Sequence, residues 1–200
     1  MLILLKKVKN ILWFAFLVAI FLSFNAPRIA IAVLLSIFLH ESGHALVFAL
    51  LGKKVRGIEM RGFGAQMLYR GTLSYREELL IALGGPLINI LTGAICLFLF
   101  SGGGEFVVIF ASVNFFYGLS NLLPFPSYDG EKILYIVFTL AFGYTRGEKI
   151  LSLLSFATRC ALLFLSLYLI FYFDIAYGIF GCVFLSLLPE FTKKTFSDKE

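Results

Sequence analysis

Charge is scarce in this chain. Only 14% of its residues are Asp, Glu, Lys or Arg, where about 25% is usual for a soluble domain. The 17 basic residues do not gather into one stripe; they sit at the ends of apolar runs, as in Lys6, Lys7 and Lys9, then Lys53, Lys54 and Arg56, then Lys193 and Lys194. Nucleic-acid recognition needs clustered cations facing one way, so no nucleic-acid partner is expected. Cysteine is limited to Cys96, Cys160 and Cys182, all in apolar runs and none at CxxC spacing. That argues against a disulfide framework or a thiolate zinc site and leaves small buried hydrophobes. Histidine is rarer still, with two residues in the whole chain. No internal repeat, low-complexity tract or soluble accessory domain is visible.

Apolar side chains are what the sequence has in excess. They make up 60% of it, and Phe alone takes 24 of 200 positions. Surface-to-volume scaling leaves too little interior at this size to hide that much apolar surface from water. Lipid is therefore the expected solvent for most of the chain.

The apolar runs set the expected spans, each needing roughly 20 residues. They cover about 11–24, 29–51, 79–100, 106–123 and two within 151–188. The N-terminus has the basic flank and apolar stretch of a signal peptide but no clear small-x-small cleavage site, so it reads as a retained first span. Residues 55–76 differ: glycines, alternating polarity and scattered charge there predict short strands or a hairpin. The stretch 133–142 is too short to span and reads as a re-entrant or interfacial helix. Arg159 is expected near the start of the fifth span. The fold class is thus α, a polytopic membrane helical bundle of about six spans with a small membrane-associated β hairpin or sheet after span two. Positive flanks orient the chain: Lys6–Lys9, 53–76 and 129–149 are expected inside, with 25–28, Glu105 and Asp174 outside. Arg28 is the one basic residue on the wrong side.

Against this background the run His40-Glu41-Ser42-Gly43-His44 stands out. Positions i and i+4 stack on one helix face, so two imidazoles there can hold one metal ion while Glu41 reaches a metal-bound water. His40 lies about 18 Å from Arg28 and about 20 Å from Lys53 at roughly 1.5 Å per residue. That is near the bilayer midplane, where ionisable side chains are costly and usually functional. A catalytic zinc commonly takes three protein ligands and a water. With no third histidine, the remaining ligand must be an acid: Glu59, Glu77 or Glu78 near the second span, or Asp129 after the fourth. Asp129 is preferred, because Pro124 and Pro126 break the helix before it and Gly130 permits close backbone approach. Ser42 has no base of its own to make it a nucleophile.

These residues resemble the site-2 protease family of intramembrane zinc metalloproteases. His40-Glu-Ser-Gly-His44 is similar to the family zinc motif, Gly84-Gly-Pro-Leu-Ile-Asn89 to its Gly-Pro-x-x-Asn element, and Asn121-Leu-Leu-Pro-Phe-Pro-Ser-Tyr-Asp-Gly130 to its Asn-x-x-Pro…Asp-Gly segment. The likeness covers about residues 28–135, within a single transmembrane metalloprotease domain spanning 1–200. It implies one Zn2+ held by His40, His44 and Asp129, with Glu41 as general base and acid. It further implies Asn89, Asn121 and Asn114 as substrate-positioning residues. By the same resemblance the protein is an endopeptidase in a prokaryotic cell membrane, with its site toward the cytoplasm. Its substrate is a membrane protein with a single transmembrane helix, which adds as a strand to the 55–76 region. Regulation then falls to the membrane core, to loops or to a separate regulatory membrane protein. The chain departs from the family where Glu131 replaces the usual second glycine after Asp129, and where Gly84 replaces the commoner alanine.

Overall fold

The structure is a computed structural model, and it describes residues 26–53, 55–61, 64–69, 72–99, 102, 104–126, 128–173 and 183. Its elements in chain order are helix α1 (Pro27–Leu50), strands β1 (Val55–Arg61) and β2 (Gly64–Tyr69), then helices α2 (Tyr75–Leu99), α3 (Gly104–Ser120), α4 (Asp129–Phe142) and α5 (Tyr144–Phe173). Three helices, Pro27–Leu50, Tyr75–Leu99 and Tyr144–Tyr172, are long and apolar enough to cross a membrane, and Gly104–Ser120 is a shorter apolar helix. The expected first span at 11–24 and the chain after 173, apart from Val183, lie outside the described residues.

Two compact units divide the chain between Leu122 and Leu123. In the first, α1, α2 and α3 pack on one another. α1 opens on Pro27 at its first turn, where the missing N–H costs nothing. It closes at Leu51, with Gly52 at φ 67° just beyond. Its buried positions include Ala32, Ser36, His40 and Gly43, which share one face at helical spacing. The buried positions of α2 are Ala82, Gly84, Gly85, Pro86, Asn89 and Gly93, and those of α3 are Ala111, Asn114 and Gly118. Large apolar side chains point outward instead, as with Phe38 at 68% exposure and Phe98 at 87%. This inside-out pattern is what lipid selects. Tails are as apolar as leucine, so helices associate through close packing of small residues rather than through burial of large ones.

α2 starts at Tyr75, one turn earlier than the hydropathy predicts, because Ser74 and Glu77 cap it. The Ser74 N–H donates to Glu77 Oε2 at 2.9 Å, and the Glu77 N–H donates to Ser74 Oγ at 3.3 Å. That reciprocal pair satisfies donors the helix start would otherwise leave open. Glu77 Oε1 also meets Lys53 Nζ at 2.8 Å. At the opposite end of these helices, Arg28 at the start of α1 pairs with Glu105 at the start of α3. Between α1 and α2 the chain forms an antiparallel pair, β1 with β2, in which Ile58 faces Met67 and Arg61 faces Gly64.

The second unit holds α4 and α5. Gly143, at φ 78°, separates them in a backbone region that side chains rarely tolerate. Gly147 then lies against the Phe138–Thr139 backbone, where a Cβ would fall 2.7 Å from the Phe138 carbonyl carbon. Because the break comes at Gly143, α5 begins at Tyr144 and runs for 30 residues. Arg159 consequently sits midway along it, not near its start. The Arg159 side chain is buried, and its Nε donates to the Ser155 carbonyl at 3.2 Å. Cys96 and Cys160 are free thiols; Cys182 lies outside the described residues.

Candidate metal centre

α1 and α2 touch backbone to backbone where Gly43 meets Gly84: a Cβ on Gly84 would lie 2.8 Å from the Gly43 carbonyl oxygen. This contact brings the two histidines of α1 against polar atoms of α2. His44 Nδ1 lies 2.7 Å from the Ile81 carbonyl oxygen, and His40 Nδ1 lies 2.8 Å from Asn89 Oδ1. The Asn89 amide nitrogen donates to the Ser36 carbonyl at 2.9 Å and to Asn114 Oδ1 at 2.8 Å. Gly85 faces the imidazoles directly. A Cβ there would sit 2.5 Å from His44 Nε2 and 2.8 Å from His40 Cε1, so only glycine leaves the rings their space.

These contacts fix the protonation pattern. A carbonyl oxygen only accepts, so His44 carries its proton on Nδ1. Asn89 has spent its NH₂ group, so the oxygen facing His40 also accepts, and His40 too is protonated on Nδ1. The two Nε2 atoms lie 3.2 Å apart. Zinc–nitrogen bonds of about 2.0–2.1 Å at a tetrahedral angle place their nitrogens roughly 3.3 Å apart. The imidazole pair therefore fits zinc in both chemistry and spacing. Anchoring of the distal nitrogens by oxygen acceptors is the usual support for metal-bound histidines. The rings meet edge to face, with centroids 4.8 Å apart, and Tyr117 of α3 closes on His40 at 5.0 Å.

Asp129 stands at the first turn of α4, 7% exposed, with Lys132 Nζ 3.9 Å from its Oδ1. A helix N-terminus favours negative charge. Within the first unit His40 and His44 bring two ligand nitrogens together, and Asp129 stands in the second unit. Of the other acids considered for this role, Glu77 is engaged by Lys53 and by the cap, and the Glu59 side chain lies outside the description. Glu41 is half-buried, one residue on from His40. Ser42 donates to the Phe38 carbonyl at 2.7 Å, a back-bond along its own helix. Asn121 is buried and donates to the Tyr117 carbonyl at 2.9 Å.

Two residues of this site escape the sequence reading. Gly85 reads there as one of a small pair, yet it is the position that makes room for the imidazoles. Tyr117 attracts no notice, although it lies on α3 one turn from Asn114 and one turn from Asn121, on the face those asparagines mark.

The chain matches the family model described as Peptidase M50B-like over residues 13–186. It is 27% identical over 126 residues to the zinc metalloprotease MJ0392 of Methanocaldococcus jannaschii, covering 60% of this chain and 37% of that relative. It is 34% identical over 95 residues to a second relative from the same organism, MJ0611, covering 44% of this chain and 50% of that one. The chain thus spans half or less of the length of these curated relatives. A solved structure of a site-2 protease from Methanocaldococcus jannaschii aligns with a TM-score of 0.58, 21% identity, and coverage of 90% of this chain and 85% of that one; this likeness speaks for the fold. With the family match running through nearly the whole chain and both motif histidines converging, the chain belongs to the Peptidase M50B-like family.

Proposed function

We propose that the protein is a zinc-dependent endopeptidase that cleaves transmembrane segments of membrane proteins within the bilayer. The observation that carries this reading is the convergence of the His40 and His44 Nε2 atoms, 3.2 Å apart, in a helix long and apolar enough to span a membrane. His40, His44 and Asp129 are the proposed ligands of a single ion. When bound, zinc supplies Lewis-acid polarisation and lowers the pKa of water toward 7. The protein's own groups do the rest. Asn89 and the Ile81 carbonyl hold the imidazoles in the ligating tautomer. Gly85 leaves open the space beside them. The Glu41 carboxylate takes a proton from the attacking water and passes it to the leaving amine, as general base and then general acid. No side-chain nucleophile is needed, and the back-bonded Ser42 hydroxyl supplies none.

The site faces the cytoplasm in this reading, on the strength of the basic flanks at Lys53 and Lys54, and the membrane is that of a prokaryotic cell. The substrate is a membrane protein with a single transmembrane helix, which unwinds to add to the edge of the β1–β2 pair; a separate membrane protein regulates access. The test is cleavage of a single-span membrane protein co-reconstituted in vesicles, with fragments identified by mass spectrometry. Cleavage should vanish with a zinc chelator and return with Zn2+. Glu41→Gln should keep the metal and lose turnover. Cleavage by E41Q at the wild-type rate would remove Glu41 from the chemistry.

A further inference from the structure

A chain of hydrogen bonds crosses all three helices of the first unit and ends on His40. It starts at the Phe110 carbonyl of α3, which accepts from Asn114 Nδ2 at 2.9 Å. A carbonyl cannot donate, so this bond fixes the Asn114 amide with Oδ1 turned toward α2. There it accepts from Asn89 Nδ2 at 2.8 Å. The same Asn89 nitrogen donates to the Ser36 carbonyl of α1 at 2.9 Å, which leaves Asn89 Oδ1 for His40 Nδ1. Backbone carbonyls at Phe110 and Ser36 thus dictate the orientation of every amide in the chain. Asn89 and Asn114 are fully buried.

We propose that Asn114 is a positioning residue for the metal centre, acting through Asn89 on His40, and that neither amide contacts substrate. The inference rests on reading His40 as a zinc ligand. Its physical basis is the two-fold choice open to an amide. With Asn114 in place, only one Asn89 orientation leaves donors facing acceptors. Without the Asn114 oxygen, one Asn89 N–H donor loses its acceptor, and the Ser36 carbonyl alone opposes turning the amide over. Turned, it presents its NH₂ group to His40 Nδ1, which must then accept. The His40 proton moves to Nε2, the nitrogen that has to bind the metal. One remote amide therefore adds to the bias that holds His40 in the ligating tautomer.

The test uses the full chain in detergent micelles, without substrate, and measures the Kd for Zn2+ by competition with a chromophoric chelator. Asn114→Leu removes the acceptor at similar size and should weaken zinc binding about tenfold, the low end of the usual cost of losing such support. Asn114→Asp keeps an acceptor for Asn89 and should stay within about threefold of wild type, even though it loses its bond to Phe110. A merely structural role would affect both variants alike, through stability. Wild-type affinity in N114L, or an equal loss in N114D, would overturn the proposal. Should N114L fail to fold, nitrogen-15 chemical shifts of the two histidines in the wild-type protein decide the matter. A neutral His40 protonated on Nδ1 supports the relay, and one protonated on Nε2 overturns it. A wild-type protein that binds no zinc would instead sink the metal reading, and the His40 tautomer would still judge the relay.

Discussion

Replacing Gly85 by alanine should disable the metal centre from outside the ligand set. The added Cβ would lie 2.5 Å from His44 Nε2, 2.7 Å from His44 Cε1 and 2.8 Å from His40 Cε1. Ordinary contact begins near 3.4 Å, so the methyl intrudes by about 0.9 Å in a well-packed interior where overpacking costs about 1–3 kcal/mol. Neither ring can swing aside freely. His44 is tied to the Ile81 carbonyl and His40 to Asn89. The alternative, retreat of α2 from α1, has to open the Gly43–Gly84 backbone contact. Metal–ligand distances tolerate only about 0.2 Å, well under the displacement demanded. Zinc affinity in G85A should fall at least about 100-fold, the far end of what losing outer support alone produces. The assay is the zinc Kd by chelator competition, paired with a thermal melt in detergent. Gly102→Ala is the control, because a Cβ there meets nothing within 4 Å; it should bind zinc as wild type does. G85A with wild-type zinc affinity would show that the imidazoles do not converge as described.

Asp129→Asn should lower zinc content per chain sharply, measured by elemental analysis after dialysis; full stoichiometry would remove Asp129 from the ligand set. Ser74→Ala removes the N-cap of α2 and should lower the melting temperature by about 2–4 °C; an unchanged melt would show that the cap contributes nothing. Gly147→Ala places a methyl 2.7 Å from the Phe138 backbone and should destabilise the α4–α5 corner by about 1–3 kcal/mol, seen as faster trypsin cleavage near Arg146. Wild-type protease resistance would contradict the corner's geometry.

Much of the site is legible in the sequence because the background is so apolar. Two histidines a turn apart and an aspartate after two prolines have few competitors in a chain with 14% charged residues. What stays hidden depends on distance between elements. The requirement for glycine at 85 arises only when α1 closes on α2, and no local pattern encodes it. Asn89 and Asn114 are visible as polar residues in apolar helices, but the sequence does not say that their hydrogen bonds run to Ser36, Phe110 and His40. Element starts are hidden for a different reason. Hydropathy places the third span at Leu79 because Tyr75, Arg76, Glu77 and Glu78 are polar, while the Ser-x-x-Glu cap at 74–77 sets the helix start at Tyr75. Likewise hydropathy starts the last apolar tract at Leu151, although the backbone break is the positive φ of Gly143.

X-ray absorption at the zinc edge of the purified wild-type protein tests the central claim most directly. One zinc per chain is expected, with two imidazole nitrogens at about 2.0–2.1 Å and a carboxylate oxygen at about 2.0–2.2 Å. A spectrum with sulfur ligands, or with fewer than two imidazoles, would contradict it.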